Sequence, residues 1–456
     1  MTEAVREAPR PASRAAQLAL LSPARAAFEL AWPGIIEQFI RASGQAVVIA
    51  FIAHLGAVAT AAVGASLQFT FLLFPVFNSL SIGTIALVSR RMGEHRPADA
   101  SAVVRQSLLL GAFFGVVTGA LFAIFARRLL ELLGADAQVA SEGAPYLALV
   151  GGLNVFQTVA IIGIAAMRAA GDTRTPMWLS AAGSLLVVPT TYLLVTTAGL
   201  GILGAAYAQV AVSLVFLVGT IALLQRGVAG LRLGGGSWAL HRETLRSLTS
   251  VSGYAAIEAF LFSIGILALG FLVFRLGTAS YAAHQLVSQL ETLSFLPCIG
   301  FSAAAAALVG QSLGMRDPHR AMRSGWAAAR MAVLWTSIAG GLLAVLPAFW
   351  LGLFTTDPAV IAAGVGALIV VGLAQPAQAM NFALGGALRG AGDTRFTLLA
   401  TIVNWFVVRL PLAVFFAFVI DLGLAGIWLA VLTDYAVRTG ILSLRFRSGK
   451  WAQRRL

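Results

Sequence analysis

The stretch RAAGDTRT, residues 168–175, lies between two long apolar segments, and RGAGDTRF, residues 389–396, repeats it 221 residues later. The same offset relates identical residues far from this phrase, without an insertion. These pairs include Glu37 and Glu258, Gly93 and Gly314, Pro97 and Pro318, and Gln157 and Gln378. Self-similarity at a fixed offset indicates internal duplication. The chain is therefore predicted to consist of two homologous halves.

The composition predicts that both halves lie in a membrane. Of the 456 residues, 59% are hydrophobic and 11% are charged, and the mean hydropathy is +0.88. An apolar run of about 20 residues can cross the hydrocarbon core as a helix. Twelve runs qualify, near 28–53, 59–88, 104–126, 143–167, 177–198, 202–225, 250–275, 280–310, 325–351, 359–388, 396–420 and 424–444. We therefore expect an all-α polytopic membrane protein with twelve transmembrane helices in two homologous six-helix bundles.

The positive charges predict the orientation of the chain. The formal net charge is +13, but most of the Lys and Arg residues fall in the two tails and in alternate connections, which is not the pattern of a nucleic-acid-binding surface. The opposite connections contain only Arg127, Arg128 and Arg275. By the positive-inside rule both termini are predicted to be cytoplasmic. No apolar run precedes a cleavage site in residues 1–22, so this segment is interpreted as a tail and not as a signal peptide.

Six spans per half place both halves in the membrane in the same direction. Such a parallel repeat is related by an axis along the membrane normal and leaves a seam where a substrate can bind. The longest polar interval, residues 226–249, contains the only run of glycines and is predicted to be the linker. The predicted segments are an N-terminal tail at 1–22, the first bundle at 23–225, the linker at 226–249, the second bundle at 250–445 and a basic tail at 446–456.

Two further stretches of the second half indicate a family. They are LGTASYAAHQLVSQLETLSFLP, residues 276–297, and LVGQSLGMRDPHRA, residues 308–321. Together with the repeated phrase they resemble the multidrug and toxic compound extrusion (MATE) transporters, over about residues 25–445. The resemblance implies two bundles around a central cleft, alternating access, and export of organic, usually cationic, compounds in exchange for protons or sodium. It also implies a multi-pass protein of the bacterial inner (cytoplasmic) membrane, and the 30 Arg residues against one Lys suggest a GC-rich bacterial genome.

Glu37 in span 1 and Glu258 in span 7 are candidate coupling residues, because ionisable side chains inside a membrane are costly and tend to mark ion paths. A carboxyl group in an apolar cleft can hold a proton near neutral pH and exchange it for a cationic substrate. The resemblance supports Glu258 in particular, since an acid in span 7 recurs among bacterial members. The alternative is that both acids only bond neighbouring helices or an internal arginine such as Arg41.

Two departures from the family pattern favour proton over sodium coupling. Residues 359–388 in span 10 contain no acid, although the sodium-linked branch uses one there. The Asp that many members place in span 1 corresponds to Val48.

Span 8 supplies two more candidates for proton or cation coupling, His284 and Glu291, which are seven residues apart and so lie on one helix face. His284 could relay protons, or it could make a hydrogen bond that only packs helices. The residues predicted to line the substrate cleft carry uncharged amides that could equally fix helix packing. They are Gln38, Asn154, Gln157, Gln375, Gln378 and Asn381.

The repeated phrase is interpreted mainly as a structural element that ends one helix and begins the next. Gly171 and Gly392 can take the left-handed conformation that ends a helix, and Asp172 and Asp393 can cap the next helix and pair with nearby arginines. The arginines of the phrase would then hold these loops in the cytoplasm. A gating role, in which ion pairs across the loops differ between inward-open and outward-open states, is the alternative.

Other functions have weaker support. A lipid or lipid-linked oligosaccharide flippase shares the architecture but needs a wide basic cleft, and the intramembrane arginines, Arg41, Arg409 and Arg438, are few. We find no paired-Asp metal motif, HExxH, P-loop or membrane-facing GxSxG, so an enzyme is not expected. The single cysteine, Cys298, excludes an intramolecular disulfide. We expect no cofactor and no metal site, organic cations and the lipid bilayer as partners, and a monomer.

Overall fold

The computed structural model describes residues 14–454, and across this range its regular structure is helical apart from one isolated bridge between Val228 and Leu231. Ten helices are individually long and apolar enough to cross a membrane, and a bent pair makes an eleventh span. The 37-residue helix Ala57–Gly93 is the twelfth. The predicted fold class is therefore confirmed. Parts of the predicted tails, residues 1–13 and 455–456, lie outside the described residues.

The spans are numbered along the chain. Those of the first half are Pro23–Ala53 (span 1), Ala57–Gly93 (span 2), Pro97–Leu132 (span 3), Ala137–Gly152 with Val155–Ala169 (span 4), Arg174–Thr197 (span 5) and Gly201–Arg226 (span 6). Those of the second half are Arg242–Phe274 (span 7), Thr278–Gly314 (span 8), Pro318–Val345 (span 9), Pro358–Gly390 (span 10), Thr394–Val419 (span 11) and Gly423–Arg447 (span 12). Short helices cover Arg14–Leu20, Pro347–Gly352 and Lys450–Gln453. The linker boundary predicted at 249 falls inside span 7.

The repeated phrase ends and begins helices largely as predicted. Gly171 and Gly392 have φ angles of 95° and 80°, the left-handed conformation that favours glycine. Asp172 accepts hydrogen bonds from the backbone N–H groups of Arg174 (3.1 Å) and Thr175 (3.0 Å) and so caps span 5. Its repeat partner Asp393 makes no capping bond and binds arginine side chains instead. The two copies of the phrase have therefore diverged in their use of the aspartate.

Several spans depart from a regular α-helix within the membrane. Span 4 breaks at Leu153 and Asn154, where its two helices are bent by 40°. Spans 5 and 11 contain π-helical segments, at Leu193–Thr197, Val403–Arg409 and Phe415–Val419. π-helical turns inside α-helices often occur at functional sites because they re-aim side chains. One of these segments ends at Arg409, a residue of the polar cluster described below.

The two halves make direct contact at the end of the molecule that carries the repeated phrases, which is the predicted cytoplasmic end. A side chain placed on Gly93 of span 2 would meet the backbone of Gln311 in span 8. In the same way, a side chain on Gly314 would meet the backbone of Arg90. Gln311 also donates a hydrogen bond of 2.8 Å to the carbonyl of Ala169. Both glycine contacts obey the 221-residue offset, so the pseudo-two-fold axis passes between spans 2 and 8 here.

The residues after span 12 pack against this same end. Trp451 is fully buried and stacks on Phe446, with ring centroids 4.7 Å apart and planes within 5°. The guanidinium of Arg454 lies 3.1 Å from the Asp393 carboxylate. The backbone carbonyl of Arg454 accepts a hydrogen bond of 2.7 Å from Arg90 of the first half. The basic segment predicted as a tail therefore docks across the junction of the two halves.

The outer surface of the bundle is apolar. Large hydrophobic side chains such as Trp178, Leu267 and Phe271 are exposed, which suits contact with lipid. Cys298 in span 8 is completely buried in the core shared by spans 1, 8, 9 and 10.

Candidate transport and coupling site

Glu37 lies in the interior of the first half, between spans 1, 4 and 5. Its side chain is 2% exposed and accepts a hydrogen bond of 2.8 Å from the Ser180 hydroxyl. The guanidinium of Arg168, the first residue of the repeated phrase, donates to the other carboxylate oxygen. A second guanidinium, that of Arg41, lies 3.4 Å away.

Glu258 occupies the equivalent place in the second half. Arg389, the repeat partner of Arg168, donates to it at 3.4 Å, and Thr401, the repeat partner of Ser180, donates at 3.2 Å. Thr397 donates at 2.7 Å, and Arg438 of span 12 supplies a second guanidinium at 3.3 Å. The cluster therefore joins spans 7, 10, 11 and 12.

The first arginine of each repeated phrase thus reaches into the bundle instead of only marking a loop. Sequence reasoning missed this contact, although the shared offset of the arginines and the acids was a signal that could have revealed it. Each carboxylate faces two guanidinium groups, so each cluster carries one net positive charge when all three groups are ionised. Buried charges of this kind need partners to avoid a large desolvation cost. This geometry matches the interpretation that both acids bond neighbouring helices, and their role in coupling stays a prediction.

Glu291 has a different environment. It lies half-buried in span 8, and its carboxylate accepts hydrogen bonds from the Gln378 amide at 2.9 Å and the Tyr435 hydroxyl at 3.3 Å. Both partners are neutral, and no cationic group forms an ion pair with Glu291 among residues 14–454. Of the acids named as coupling candidates, Glu291 alone lacks a cationic partner.

A buried ion pair lies on the other side of Tyr435. Asp434 in span 12 is 1% exposed and accepts a hydrogen bond from Arg409 of span 11, which is 5% exposed. The Arg409 guanidinium also stacks over the rings of Trp405, at 4.1 Å, and Tyr435, at 4.9 Å. Sequence reasoning named Arg409 but missed Asp434, whose position as an acid inside an apolar run was the available signal.

We call Glu291, Gln378, Arg409, Asp434 and Tyr435 the polar cluster of the second half. It contains two carboxyl groups and one guanidinium. When both acids are ionised, the cluster carries one net negative charge. The clusters at Glu37 and Glu258 each carry one net positive charge instead. Because an uncompensated charge in the membrane interior is costly, this cluster favours the arrival of one cation or one proton.

The other predicted residues fall into several places. Asn381 joins the polar cluster, since it donates to the Tyr435 carbonyl at 3.1 Å. The His284 ring packs against Trp428 at 5.4 Å, and the described residues offer no partner to its buried Nδ1 and no contact with Glu291. Gln375 is fully buried, and both of its amide atoms are unpartnered within residues 14–454. Gln38 is half-buried in span 1 and makes no side-chain hydrogen bond to a described residue.

Asn154 and Gln157 lie elsewhere, in a narrow cavity inside the first half. The cavity is bounded by spans 2, 3, 4 and 6. Its polar lining residues are Thr70, Asn154, Gln157, Gln209 and Ser213, and its apolar ones include Phe77 and Phe122. The predicted cleft residues therefore lie in both halves, and their role in binding substrate stays a prediction. Among the described residues no group of three or more His, Cys, Asp or Glu side chains is arranged to hold a metal ion.

Known proteins resemble this chain along nearly its whole length. A "Probable multidrug resistance protein NorM" of Thermotoga maritima is 29% identical over 416 residues, which cover 89% of this chain and 88% of the relative. The "Uncharacterized transporter YisQ" of Bacillus subtilis is 24% identical and covers 94% of this chain and 95% of its own.

Solved structures share the fold. A MATE transporter of the multidrug resistance type in an outward-facing conformation has a TM-score of 0.89 at 20% identity, covering 95% of this chain and 98% of its own. The Vibrio cholerae MATE transporter VcmN in its bent form has a TM-score of 0.87 at 20% identity, covering 96% and 98%. The sequence profile of the MatE family matches residues 33–193 and 255–415, one match in each half of the duplicated chain. With both halves matched, the chain belongs to the MatE family of multidrug efflux transporters.

Proposed function

We propose that this chain is a proton-coupled antiporter that exports organic cations from the cytoplasm by alternating access. The observation that carries the proposal is the polar cluster of the second half, in which the single guanidinium of Arg409 pairs with Asp434 and Glu291 is bound only by the neutral Gln378 and Tyr435 side chains among residues 14–454. A cluster that lacks one positive charge can accept either a proton or a cationic compound, but it gains little from holding both. Mutual exclusion of this kind is the requirement for exchange.

The proposed cycle follows from that competition. With the cytoplasmic side open, ionised Glu291 attracts the organic cation. When the molecule opens outward, a proton from outside neutralises Glu291 and the cation leaves. The protonated carrier then reopens to the cytoplasm and releases the proton there, so one proton enters for each monovalent cation that leaves.

The two arginine-rich clusters, at Glu37 and Glu258, support the assignment of proton exchange to Glu291. Glu37 and Glu258 each face two guanidinium groups, which suits them to hold spans together while the halves move as units. The interior arginines at positions 41, 168, 389, 409 and 438 are all paired with carboxylates. A flippase for lipids with anionic headgroups would need such cations unpaired, so that alternative is not favoured. We place the protein in the bacterial inner membrane with both termini in the cytoplasm.

The test is transport of ethidium by purified protein in liposomes, driven in turn by an imposed pH gradient and by an imposed sodium gradient. We expect the pH gradient alone to drive transport. We expect Glu291→Gln to lower this transport at least about tenfold, since a hydrogen-bonded charged group is worth roughly 1.5–3 kcal/mol. Glu131→Gln, on an exposed acid paired only with Arg127, is the control. Transport driven by sodium alone, or full pH-driven transport by Glu291→Gln, would contradict the proposal.

A further inference from the structure

Three arginines and a tryptophan lie together on the outer surface of the second half, where the ends of spans 9 and 12 meet. Arg323, Trp326 and Arg330 follow one another at spacings of three and four residues, so they share one face of span 9. The guanidinium of Arg447, the last residue of span 12, lies 5.4 Å from the centroid of the Trp326 ring. All three arginines are exposed, and Trp326 is half-buried. We call these four residues the outer arginine patch.

No acid of the described chain neutralises this patch. The ion pairs of the second half use other arginines, namely Arg389, Arg409, Arg438, Arg445 and Arg454. Among residues 14–454, therefore, Arg323, Arg330 and Arg447 have no carboxylate partner. The patch carries three positive charges and attracts an anion from outside the chain.

The patch continues directly into apolar surface. Leu334 and Ile338, four and eight residues after Arg330, are 65% and 61% exposed and extend its face along span 9. Leu444, one turn before Arg447 in span 12, is 70% exposed. Exposed leucine and isoleucine on a membrane-spanning helix suit contact with acyl chains.

The depth of the three arginines matches the boundary between hydrocarbon and headgroups. Arg330 lies inside the apolar run 325–351 of span 9, and Arg323 lies just before it. Arg447 lies three residues beyond the apolar run 424–444 of span 12. A long arginine side chain at such a place lays its stem on apolar surface and extends its charge to headgroup level.

The first half covers the equivalent position with its own chain. At the 221-residue offset Trp326 corresponds to Arg105, which is buried beneath the linker. Arg105 donates hydrogen bonds to the backbone carbonyls of Ser237, at 3.0 Å, and Arg232, at 3.3 Å. In the second half Trp326 keeps exposed surface and is flanked by free guanidinium groups, so this copy of the position is open to a ligand.

We propose that the outer arginine patch binds the headgroup of an anionic phospholipid, with preference for a lipid that carries two phosphate groups. Guanidinium groups bind phosphate oxygens through paired N–H donors, and basic pockets between transmembrane helices on the cytoplasmic side suit such headgroups. Three guanidinium groups exceed the charge of a single phosphodiester, which is why two phosphates fit better than one. The exposed side chains of Leu334 and Ile338 would then contact the acyl chains.

The test measures lipid binding to purified, delipidated protein in detergent by native mass spectrometry. The probes are tetraoleoyl cardiolipin, with two phosphates, dioleoyl phosphatidylglycerol, with one, and zwitterionic dioleoyl phosphatidylcholine. We expect affinity to fall in that order. Equal affinity for phosphatidylglycerol and phosphatidylcholine contradicts the proposal. Inorganic pyrophosphate, which has phosphates but no acyl chains, should not displace cardiolipin at equal concentration, and displacement would assign the patch to a soluble anion instead.

The double variant Arg323→Gln/Arg330→Gln should weaken cardiolipin binding about tenfold or more, the effect of two charges lost beside an anionic headgroup. Arg242→Gln/Arg246→Gln is the matched control. It removes two exposed arginines, one turn apart at the start of span 7, which also lack a carboxylate partner among residues 14–454. We expect the control to change binding by no more than about twofold. Equal weakening in both variants would mean general attraction to a basic protein and would overturn the proposal.

The conservative variant Arg323→Lys/Arg330→Lys separates loss of charge from a folding defect. It keeps both positive charges, so cardiolipin binding should weaken less than in the glutamine variant. Weakening as large as with glutamine would contradict a site that acts through charge.

The inference needs only that the outer surface of the bundle lies in a membrane. Its failure leaves proton coupling at Glu291 untouched, and transport driven by sodium would leave lipid binding untouched.

Discussion

Arg168 binds the carboxylate of Glu37 across 131 residues of chain, and Arg389 binds Glu258 across the same separation. The same contact therefore occurs in both halves of the duplicated chain. It indicates that the first arginine of each repeated phrase fixes span 4 to span 1 in the first half and span 10 to span 7 in the second. The contact is internal to each half, so it can persist while the halves move relative to each other.

Glu37→Gln should destabilise the protein. It removes the carboxylate that compensates Arg168 and Arg41, and breaking a buried pair by removing one partner costs roughly 3–5 kcal/mol. We expect a clearly lower Tm in detergent, and partial recovery in the double variant Glu37→Gln/Arg168→Gln. Glu131→Gln, at an exposed ion pair, should change stability by no more than about 0.5 kcal/mol. An unchanged Tm for Glu37→Gln would show that the ion pair is not structural.

Asp434→Asn should alter the balance of the polar cluster. With Asp434 neutral, Arg409 is left as the nearest cation to Glu291, and an organic cation no longer meets a net negative site. We expect the Kd of tetraphenylphosphonium, measured at pH 8, to rise about tenfold or more. The double variant with Glu291→Gln should show little further loss, since both acids act on one site. Additive losses would mean that the two carboxyl groups work independently.

Gly93→Ala should weaken the closed contact at the predicted cytoplasmic end. The added methyl group meets the backbone of Gln311, which cannot rotate away as a side chain can. We expect spin labels on spans 2 and 8 to report a larger share of molecules with this end separated. Gly314→Ala should act in the same direction by symmetry, and Gly253→Ala, which faces open space, should leave the distances unchanged. Identical distance distributions in all three variants would exclude this contact as a determinant of closure.

Trp451→Ala should release the C-terminal segment. It removes a fully buried ring that stacks on Phe446 and donates a 2.6 Å hydrogen bond to the Phe446 carbonyl. Truncation of a buried aromatic typically costs about 3–5 kcal/mol. We expect faster proteolysis near residue 450 and a lower Tm, whereas Trp238→Ala, at a side chain 47% exposed, should change neither. Protease resistance equal to that of the parent chain would argue against docking of this segment.

The fold could be predicted from the sequence, but the partners of Glu37 and Glu258 could not. Spans and halves follow from local hydrophobicity and from a repeat offset, both of which can be counted along the chain. The partners of Glu37 and Glu258 depend on helix rotation and on side chains more than 100 residues away. The break at Asn154 and the π-helical segment that ends at Arg409 carry no simple sequence signal, so neither could be predicted. Asp434 was within reach, because an acid in an apolar run is conspicuous.

The burial of Cys298 has a practical consequence. As the chain's only thiol, it is sealed in the core and unreachable by maleimides or methanethiosulfonates in the folded protein. Reporter dyes can therefore be attached at chosen positions without first mutating the native residue, which makes this transporter a ready subject for single-molecule fluorescence.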